Sequence, residues 1–319
     1  MDLSIEDIES LHQVQTLSIQ QRQHKVNVND FVDLQAWKTH GTLRSLLPHI
    51  LKGQEIVEIV DSLVAAQRHG KAIIFAIGAH VIKCGLNPLL IDMMQRGWLS
   101  ALVVNGAGII HDLEVALIGQ TSEDVAENLH DGAFGMVQET PRLINDALRT
   151  YSGTQVGLGT AIGRALATGD YPYKAYSLLA TAYAHQIPVT VHVAIGADTI
   201  HMHPSTNGAL LGQASYTDFQ RLTLLLQGLH DGGCYWNIGS AVLLPEVFLK
   251  ALTLCRNTGH QVERFFTLNL DMLQHYRPMY NVVQRPTQGS GRGYTLTGHH
   301  EIMLPLLYSM ILEALAEPC

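Results

Sequence analysis

Histidines are the residues of this 319-residue chain best suited to chemistry near neutral pH. The chain has 17 histidines against seven lysines. His192, His201 and His203 fall within twelve residues, together with Asp198. In an extended stretch residues two apart face the same way, so His201 and His203 could hold one ion or one substrate group. A polar pocket of mutually hydrogen-bonded histidines is the alternative.

Proton transfer is the chemistry that this histidine content favours. We predict His201 and His203 as the catalytic groups, with His192 and His111 assisting them. Asp198 would orient a cofactor ribose or a histidine. No second His-x-His and no pair of acidic ligands stands out, so no metal is predicted. A metal-dependent hydrolase or lyase using His192, Asp198, His201 and His203 stays open as an alternative.

Small residues follow the apolar runs that we interpret as strands. Glycine lets backbone approach a ligand closely, and open α/β sheets bind ligands outside the carboxyl ends of their strands. A helix that begins just after such a loop favours phosphate. These loops predict a dinucleotide site, with ordinary tight turns as the alternative. The loops are Gly78-Ala79, Gly106-Ala107-Gly108, Gly196-Ala197 and Gly239-Ser240-Ala241.

A further glycine-rich stretch, Gly157 to Gly163, has the spacing G-x-G-x-x-x-G. A dinucleotide fingerprint requires an apolar strand immediately before it. The residues from Thr150 to Gln155 do not form a convincing strand. We therefore do not predict a phosphate site at this stretch.

Short apolar runs alternate with helical periodicity along the chain. This alternation predicts an α/β fold, a Rossmann-like doubly wound and mostly parallel sheet. Residues 1–40 are interpreted as an N-terminal arm and residues 41–319 as a single domain. The predicted strands are 72–77, 101–104, 188–195, 234–238 and 264–270. The predicted helices cover 46–68, 81–96, 173–186, 245–256 and 300–316, and others start at His111, Ser122 and Pro141, the last with Thr140 as N-cap.

Composition excludes several classes of protein. The formal charge is −8 with no basic run, which argues against a nucleic-acid partner. No apolar run approaches the roughly 20 residues of a membrane span. The N-terminus lacks the features of a signal peptide, and the four cysteines form no C-x-x-C pair. We expect reduced thiols and a cytoplasmic location.

Several motifs, in order, resemble those of the deoxyhypusine synthase family. The similarity covers roughly Ile73 to Leu307, with good order and spacing and modest identity. The matching stretches are Gly78-Ala79-His80-Val81-Ile82-Lys83-Cys84-Gly85, Asn105-Gly106-Ala107-Gly108-Ile109-Ile110-His111-Asp112-Leu113, Ala197-Asp198-Thr199-Ile200-His201-Met202-His203, Gly289-Ser290-Gly291 and the helix from His300 to Leu307.

The resemblance implies a Rossmann-like fold, NAD bound near subunit interfaces and a homotetramer. In that family NAD oxidises spermidine to an imine, and the aminobutyl group passes to an enzyme lysine and then to a lysine of a translation factor. By residue match, the NAD-binding positions would be Gly78, Ala79, Asn105, Gly106, Ala107, Gly108, Asp198, Gly239, Ser240, Ala241, Gly289 and Ser290.

The chain departs from the family where the family binds its substrate. Its last lysine is Lys250, so the lysine nucleophile that the family carries near its C-terminus is absent. From Met272 to His300 there is no acidic residue, although a polyamine pocket needs carboxylates. Arginines there suit a carboxylate or phosphate instead. We expect a substrate that differs from spermidine and is anionic; the alternative is that these arginines contact the NAD pyrophosphate or solvent. The expected substrate-binding residues are Arg285, Arg292, His299 and His300.

The leading functional hypothesis is an NAD-binding enzyme that is similar to deoxyhypusine synthase without performing its reaction. It would be a transferase or an oxidoreductase acting on a small amine or an anionic metabolite. The alternatives are the metal-dependent hydrolase or lyase and a non-catalytic, NAD-binding regulatory protein. The expected partners are a small-molecule substrate and other copies of the chain.

Overall fold

The computed structural model describes residues 5–316, and its centre is one sheet of six parallel strands. The strand order is β3-β2-β1-β4-β5-β6, so the chain builds one half of the sheet outward from β1 and then the other half from β4. This confirms the predicted Rossmann-like α/β fold, and all six strands are parallel. The strands are β1 Ile73–Ile77, β2 Ala101–Asn105, β3 Val189–His192, β4 Cys234–Ile238, β5 Phe266–Asp271 and β6 Arg292–Thr297.

Helices connect the strands and cover the sheet. The α-helices are α1 Ile5–Ser10, α2 Leu34–His40, α3 Leu51–Arg68, α4 His80–Lys83, α5 Asn87–Gln95, α6 Gly106–Ile118, α7 Val125–Leu129, α8 Glu139–Thr150, α9 Leu158–Thr168, α10 Leu178–Ala184, α11 Gly208–Leu225, α12 Leu243–Asn257, α13 Tyr276–Pro278 and α14 His300–Ala316. A π-helical turn, Met279–Gln284, continues α13.

The central strands are buried along their whole length, as their continuous apolar sequences predicted. All five residues of β1 and of β4 are buried. Phe75 of β1 stacks on Trp236 of β4, with ring centroids 4.8 Å apart. On the next layer, Tyr235 stacks on Phe248 of α12. A parallel sheet covered on both faces requires such apolar strands.

The sequence did not predict the sixth strand. In β6 buried Tyr294 and Leu296 alternate with more exposed residues, because β6 is an edge strand. The missing signal was a continuous apolar run. Helices α9 and α11 were also not predicted.

Several predicted helix boundaries were wrong by a few residues. The helix expected over 81–96 is broken into α4 and α5 around Gly85, whose φ is +74°. Helix α6 begins at Gly106 rather than at His111. Thr140 lies inside α8, whose N-cap is Gln138. Helix α14 has the predicted bounds of His300 and Ala316.

The chain divides into two compact units, one up to Gln54 and one from Glu55. The described part of the first unit holds short helices whose apolar side chains are largely exposed. The second unit contains the whole sheet. Its cysteines Cys84, Cys234 and Cys255 are free, and Cys319 lies outside the described residues. Within residues 5–316, no helix has both the length and the apolar character needed to cross a bilayer.

Candidate functional site

The crevice between β1 and β4 lies where the strand order reverses, the usual ligand site of an open α/β sheet. Gly78 ends β1 and Gly239 ends β4. The Gly78 N–H donates to the Ile238 carbonyl at 2.8 Å. A Cβ on Gly78 would lie 2.1 Å from the Gly239 carbonyl oxygen, so only glycine fits. The two loops therefore present bare backbone to the crevice.

His300, at the start of α14, lies against this crevice. It is 1% exposed, and neither ring nitrogen has a hydrogen-bond partner. A Cβ on Gly239 would lie 2.9 Å from its Nε2, and its ring meets the His80 ring edge-on at 5.8 Å. Burial lowers the pKa of His300, although the charge of Asp271 opposes the shift. A buried imidazole without partners is costly unless a ligand supplies them.

The other predicted residues of these loops support the crevice. The Ser240 Oγ accepts from the Leu244 N–H at the start of α12, and the Asn237 side chain donates to the Ser240 carbonyl. Ala79 is the N-cap of α4, directly after Gly78. Ala241 follows Ser240 in the turn that leads to α12. His299, beside His300, is exposed and lies 3.7 Å from Glu301.

Asp198 belongs to the loop after β3, and its side chain packs against Gly106, where β2 leads into α6. A Cβ on Gly106 would lie 2.1 Å from Asp198 Oδ2. Burial raises the pKa of Asp198, whereas the charge of His201 and backbone hydrogen bonds from Ala194 and Ala107 act against the rise. Its buried Oδ2 has no hydrogen-bond partner. This carboxylate can still accept a hydrogen bond from a ligand.

Asn105 explains why α6 begins where it does. It is the N-cap, and its side-chain oxygen accepts from the Gly108 N–H at 2.9 Å. Gly108 is tightly packed, since a Cβ there would lie 3.3 Å from the Asn105 oxygen. The predicted loop residues Asn105 to Gly108 are therefore placed together with Asp198.

The histidines around Asp198 do not converge. Thr199–Met202 is a 3₁₀ turn, so the extended geometry expected for His201 and His203 is wrong. The His201 Nδ1 accepts from the Gly196 N–H, which leaves its buried Nε2 without a partner. His203 bonds to Ser205 instead. Among the described residues, no three His, Cys, Asp or Glu side chains are grouped so that they could hold a metal ion.

His192, at the end of β3, is 4% exposed. Its Nε2 lies 3.1 Å from the Thr190 Oγ1. Burial lowers its pKa to about 4, so the ring is neutral at pH 7. This environment is that of a packed histidine in the core.

A cavity of about 690 Å³ opens beside Asp198, within the size range of small-molecule sites. Asp198 and Ala107 belong both to its wall and to the strand-end loops. Apolar lining comes mainly from α6 and from the segment 119–139. Carboxylates outnumber permanent cations in the wall, since Glu114, Glu123, Glu139 and Asp198 face Lys83, and the imidazole of His111 lies among them.

Within this cavity, His111 and Glu114 are joined through Thr121. The His111 Nδ1 lies 2.7 Å from the Thr121 Oγ1, which donates to Glu114 at 2.5 Å. Burial raises the pKa of Glu114, but the nearby His111 ring, the Thr121 hydroxyl and the Ser122 backbone N–H outweigh this effect and leave the pKa below its usual value. Glu114 is thus an anion at neutral pH beside an imidazole.

Sequence reasoning singled out His111 but not Glu114, Thr121 or His80. Glu114 was detectable, because residues three apart on a helix share a face. Thr121 was not, since it comes from the loop after α6 and only the fold brings it to His111.

The remaining predicted residues lie elsewhere. The Ser290 Oγ accepts from the Arg264 N–H just before β5, so Gly289 and Ser290 are at the amino edge of the sheet, opposite the crevice. Arg292 begins β6 at that same edge and pairs with Glu58 at 2.7 Å. Arg285 donates to Asn281 and lies over the Tyr280 ring. The structure does not bring these four residues to the cavity.

The glycine-rich stretch from Gly157 to Gly163 binds an internal carboxylate. Asp218 accepts from the Gly159 N–H at 2.8 Å and the Val191 N–H at 2.9 Å. A Cβ on Gly157 would lie 1.7 Å from its Oδ1. Burial raises the pKa of Asp218 to about 7, against these hydrogen bonds and the charge of Arg221. The amino end of α9 is occupied by this side chain, where a phosphate would otherwise bind.

Comparisons with known proteins find a likeness in fold alone. No family model matches the sequence, and no curated protein sequence matches it. The chain is similar to AgrE in its ternary complex with ornithine and NAD⁺, with 13% identity and a TM-score of 0.54, over 82% of this chain and 33% of AgrE. The chain thus spans about a third of that protein's length. At this identity the likeness concerns the arrangement of strands and helices.

Two further solved structures match with lower scores. One is a protein from Methanococcus maripaludis S2 assigned as a LOR/SDH protein. Its identity is 16% and its TM-score 0.49, and the match covers 83% of this chain and 71% of that chain. The other is a protein from Entamoeba histolytica assigned as a deoxyhypusine synthase, with 10% identity, a TM-score of 0.47 and coverage of 93% and 96%.

Proposed function

We propose that the carboxyl edge of the sheet binds NAD⁺ and that the chain is an NAD-dependent enzyme. The observation that carries this proposal is the bare-backbone crevice of Gly78 and Gly239 at the strand-order reversal. Two buried groups beside these loops lack partners, the Oδ2 of Asp198 and both nitrogens of His300. A ribose hydroxyl is a donor of the kind that Asp198 requires. AgrE, whose fold is similar, was solved with NAD⁺.

The substrate in this proposal is a small amine with an apolar carbon chain. The cavity beside Asp198 combines apolar walls with an excess of carboxylates, which favours a cation. The arginines expected to hold an anion contact Glu58 and Asn281 instead. The amine is therefore better supported than the anionic metabolite.

The reaction would be an oxidation of the amine. The ammonium group would lose a proton to a base in the cavity. NAD⁺, held by the strand-end loops and Asp198, would supply the acceptor for hydride from the adjacent carbon, so the products would be an iminium ion, NADH and the protonated base. Because no lysine follows Lys250, the imine would be hydrolysed or captured by a second small amine rather than by an enzyme lysine at the C-terminus.

Calorimetric titration of NAD⁺ into the purified protein tests the cofactor. We expect binding to the wild type, and about tenfold or greater weakening in Asp198→Asn, since a hydrogen bond to a charged group contributes about 1.5–3 kcal/mol. Gly212→Ala is the matched control, because Gly212 has open space around its Cβ position on the exposed side of α11. No heat of binding in the wild type would exclude the NAD site.

NADH formation with a panel of short alkylamines, hydroxy acids and phosphorylated metabolites then tests the substrate. Turnover confined to amines supports the proposal, and turnover confined to anions contradicts the substrate class. Binding of NAD⁺ without NADH from any compound would favour the regulatory alternative.

A further inference from the structure

Only one assignment of donors and acceptors is consistent with the two hydrogen bonds of the Thr121 hydroxyl. An ionised carboxylate can only accept, so the Thr121 hydroxyl gives its single proton to Glu114, 2.5 Å away. The same oxygen lies 2.7 Å from the His111 Nδ1. Having no second proton, it must accept from that nitrogen. A neutral His111 therefore carries its hydrogen on Nδ1 and a free lone pair on Nε2.

Glu114 is held as the anion that this direction needs. It accepts from the Thr121 hydroxyl, the Ser122 backbone N–H and, at 3.5 Å, the Thr140 hydroxyl. Ser122 has a φ of +73°, a conformation that is unfavourable for a residue other than glycine. Such strain is retained where the surroundings fix the backbone, often at functional sites. The loop after α6 is thus held in place around the carboxylate.

We propose that His111 is the proton acceptor of the cavity and that Thr121 and Glu114 are its positioning residues. The amine's ammonium group gives one proton to Nε2 of His111, and the N–H bond breaks as the new one forms. The resulting imidazolium still donates through Nδ1 to Thr121, and the Glu114 carboxylate, 3.8 Å from Nδ1, stabilises its charge. The hydride transfer of the proposed function follows on the neutral amine. This inference rests on the proposed function for the amine substrate and for the hydride transfer that follows the proton transfer.

Two substitutions at Thr121 distinguish the effect of its hydroxyl group from the effect of its side-chain volume. Thr121→Val keeps the volume and removes the hydroxyl, whereas Thr121→Ser keeps the hydroxyl. His111→Gln removes the base, and His185→Gln is the matched control at an exposed histidine at the end of α10. We expect kcat for amine-dependent NADH formation to fall about 100-fold or more in His111→Gln and Thr121→Val. Thr121→Ser and His185→Gln should stay within a few-fold of the wild type.

Nitrogen NMR of protein labelled with ¹⁵N-histidine tests the inference without NAD. The His111 signals are those that vanish in His111→Gln. We expect the Nδ1–H tautomer in the wild type and in Thr121→Ser, and its loss in Thr121→Val. Addition of n-butylamine should move the Nε2 signal of His111, and butyrate, which has the same chain length and the opposite charge, should not.

The outcomes separate this inference from the proposed function. An Nε2–H tautomer, or a His111 signal indifferent to n-butylamine, overturns the inference whatever the enzyme does. The expected NMR result without any NADH leaves the proton acceptor in place and refutes the oxidation. Amine-dependent NADH formation with an unchanged kcat in His111→Gln also overturns the inference.

Discussion

At the scale of single residues, burial separates the histidines into two kinds. His192 is enclosed in the sheet and bonded to Thr190, so its ring serves packing. His111 is partly accessible to the cavity and its Nδ1 is engaged, which leaves a nitrogen for a ligand. The proposal of His111 as proton acceptor therefore rests on these contacts and not on proximity in sequence to Asp198.

His192 gives a pH dependence whose sign follows from its burial. Its pKa is about 4 in the folded chain and about 6.5 in the unfolded chain. As the pH falls below 6.5, the unfolded chain takes up a proton that the folded chain does not. The wild type should therefore lose up to about 3 kcal/mol of folding free energy relative to His192→Gln between pH 7.5 and pH 4.

Urea unfolding of both proteins across this pH range measures the difference. At pH 7.5 His192→Gln should have a lower free energy of unfolding than the wild type, because it loses the native packing. As the pH falls, this difference should shrink or reverse. A difference that does not change with pH would mean that His192 is not held neutral in the folded state.

At the scale of elements, the glycines of α9 let this helix pack directly on β3. A Cβ on Gly159 would lie 2.1 Å from the Val189 carbonyl oxygen. Asp218 fixes the same contact by bonding the N–H groups of Gly159 and Val191. The glycine spacing that resembles a phosphate-binding loop here allows close packing of a helix on a strand.

Gly159→Ala should therefore lower the free energy of unfolding by about 1–3 kcal/mol, because the added methyl group forces α9 away from β3. Gly212→Ala makes the same chemical change in α11, where nothing lies within 4 Å. It should be neutral or stabilise the protein by up to about 1 kcal/mol. Chemical denaturation with a common m-value compares them, and equal effects would argue against the close contact.

At the scale of the whole molecule, the first unit exposes many apolar side chains. Those more than half exposed include Ile8, Leu11, Leu17, Val28, Phe31 and Leu34. So many exposed apolar groups on one segment are typical of an interaction surface. We propose that other copies of the chain cover them, in the homotetramer that the family resemblance implies.

Native mass spectrometry tests this assembly. We expect a tetramer for the wild type and a shift to smaller species for the double variant Leu17→Ser, Phe31→Ser, because apolar contact area is lost. Leu224→Ser, at a comparably exposed leucine of the second unit, is the control. A wild-type monomer at micromolar concentration would contradict the proposal.

The sequence alone determined five of the six strands and the edge at which their glycine-rich loops lie. Short apolar runs such as 72–77 favour strands buried on both faces, and the helical segments between them favour parallel connections. Glycine at the ends of these runs marked the edge where backbone is bare. These signals are local, so they could be read directly. β6 was missed because an edge strand lacks the continuous apolar pattern.

Only the tertiary structure decided which residues meet. The strand order brings Gly78 to Gly239, residues that are far apart in the chain, and places Gly289 and Arg292 at the opposite edge from Gly78. It also folds Thr121 back onto His111. Such contacts arise from strand order and loop path, which no local pattern encodes. Some residues of the candidate site could therefore be predicted from the sequence, but which of them contact each other could not.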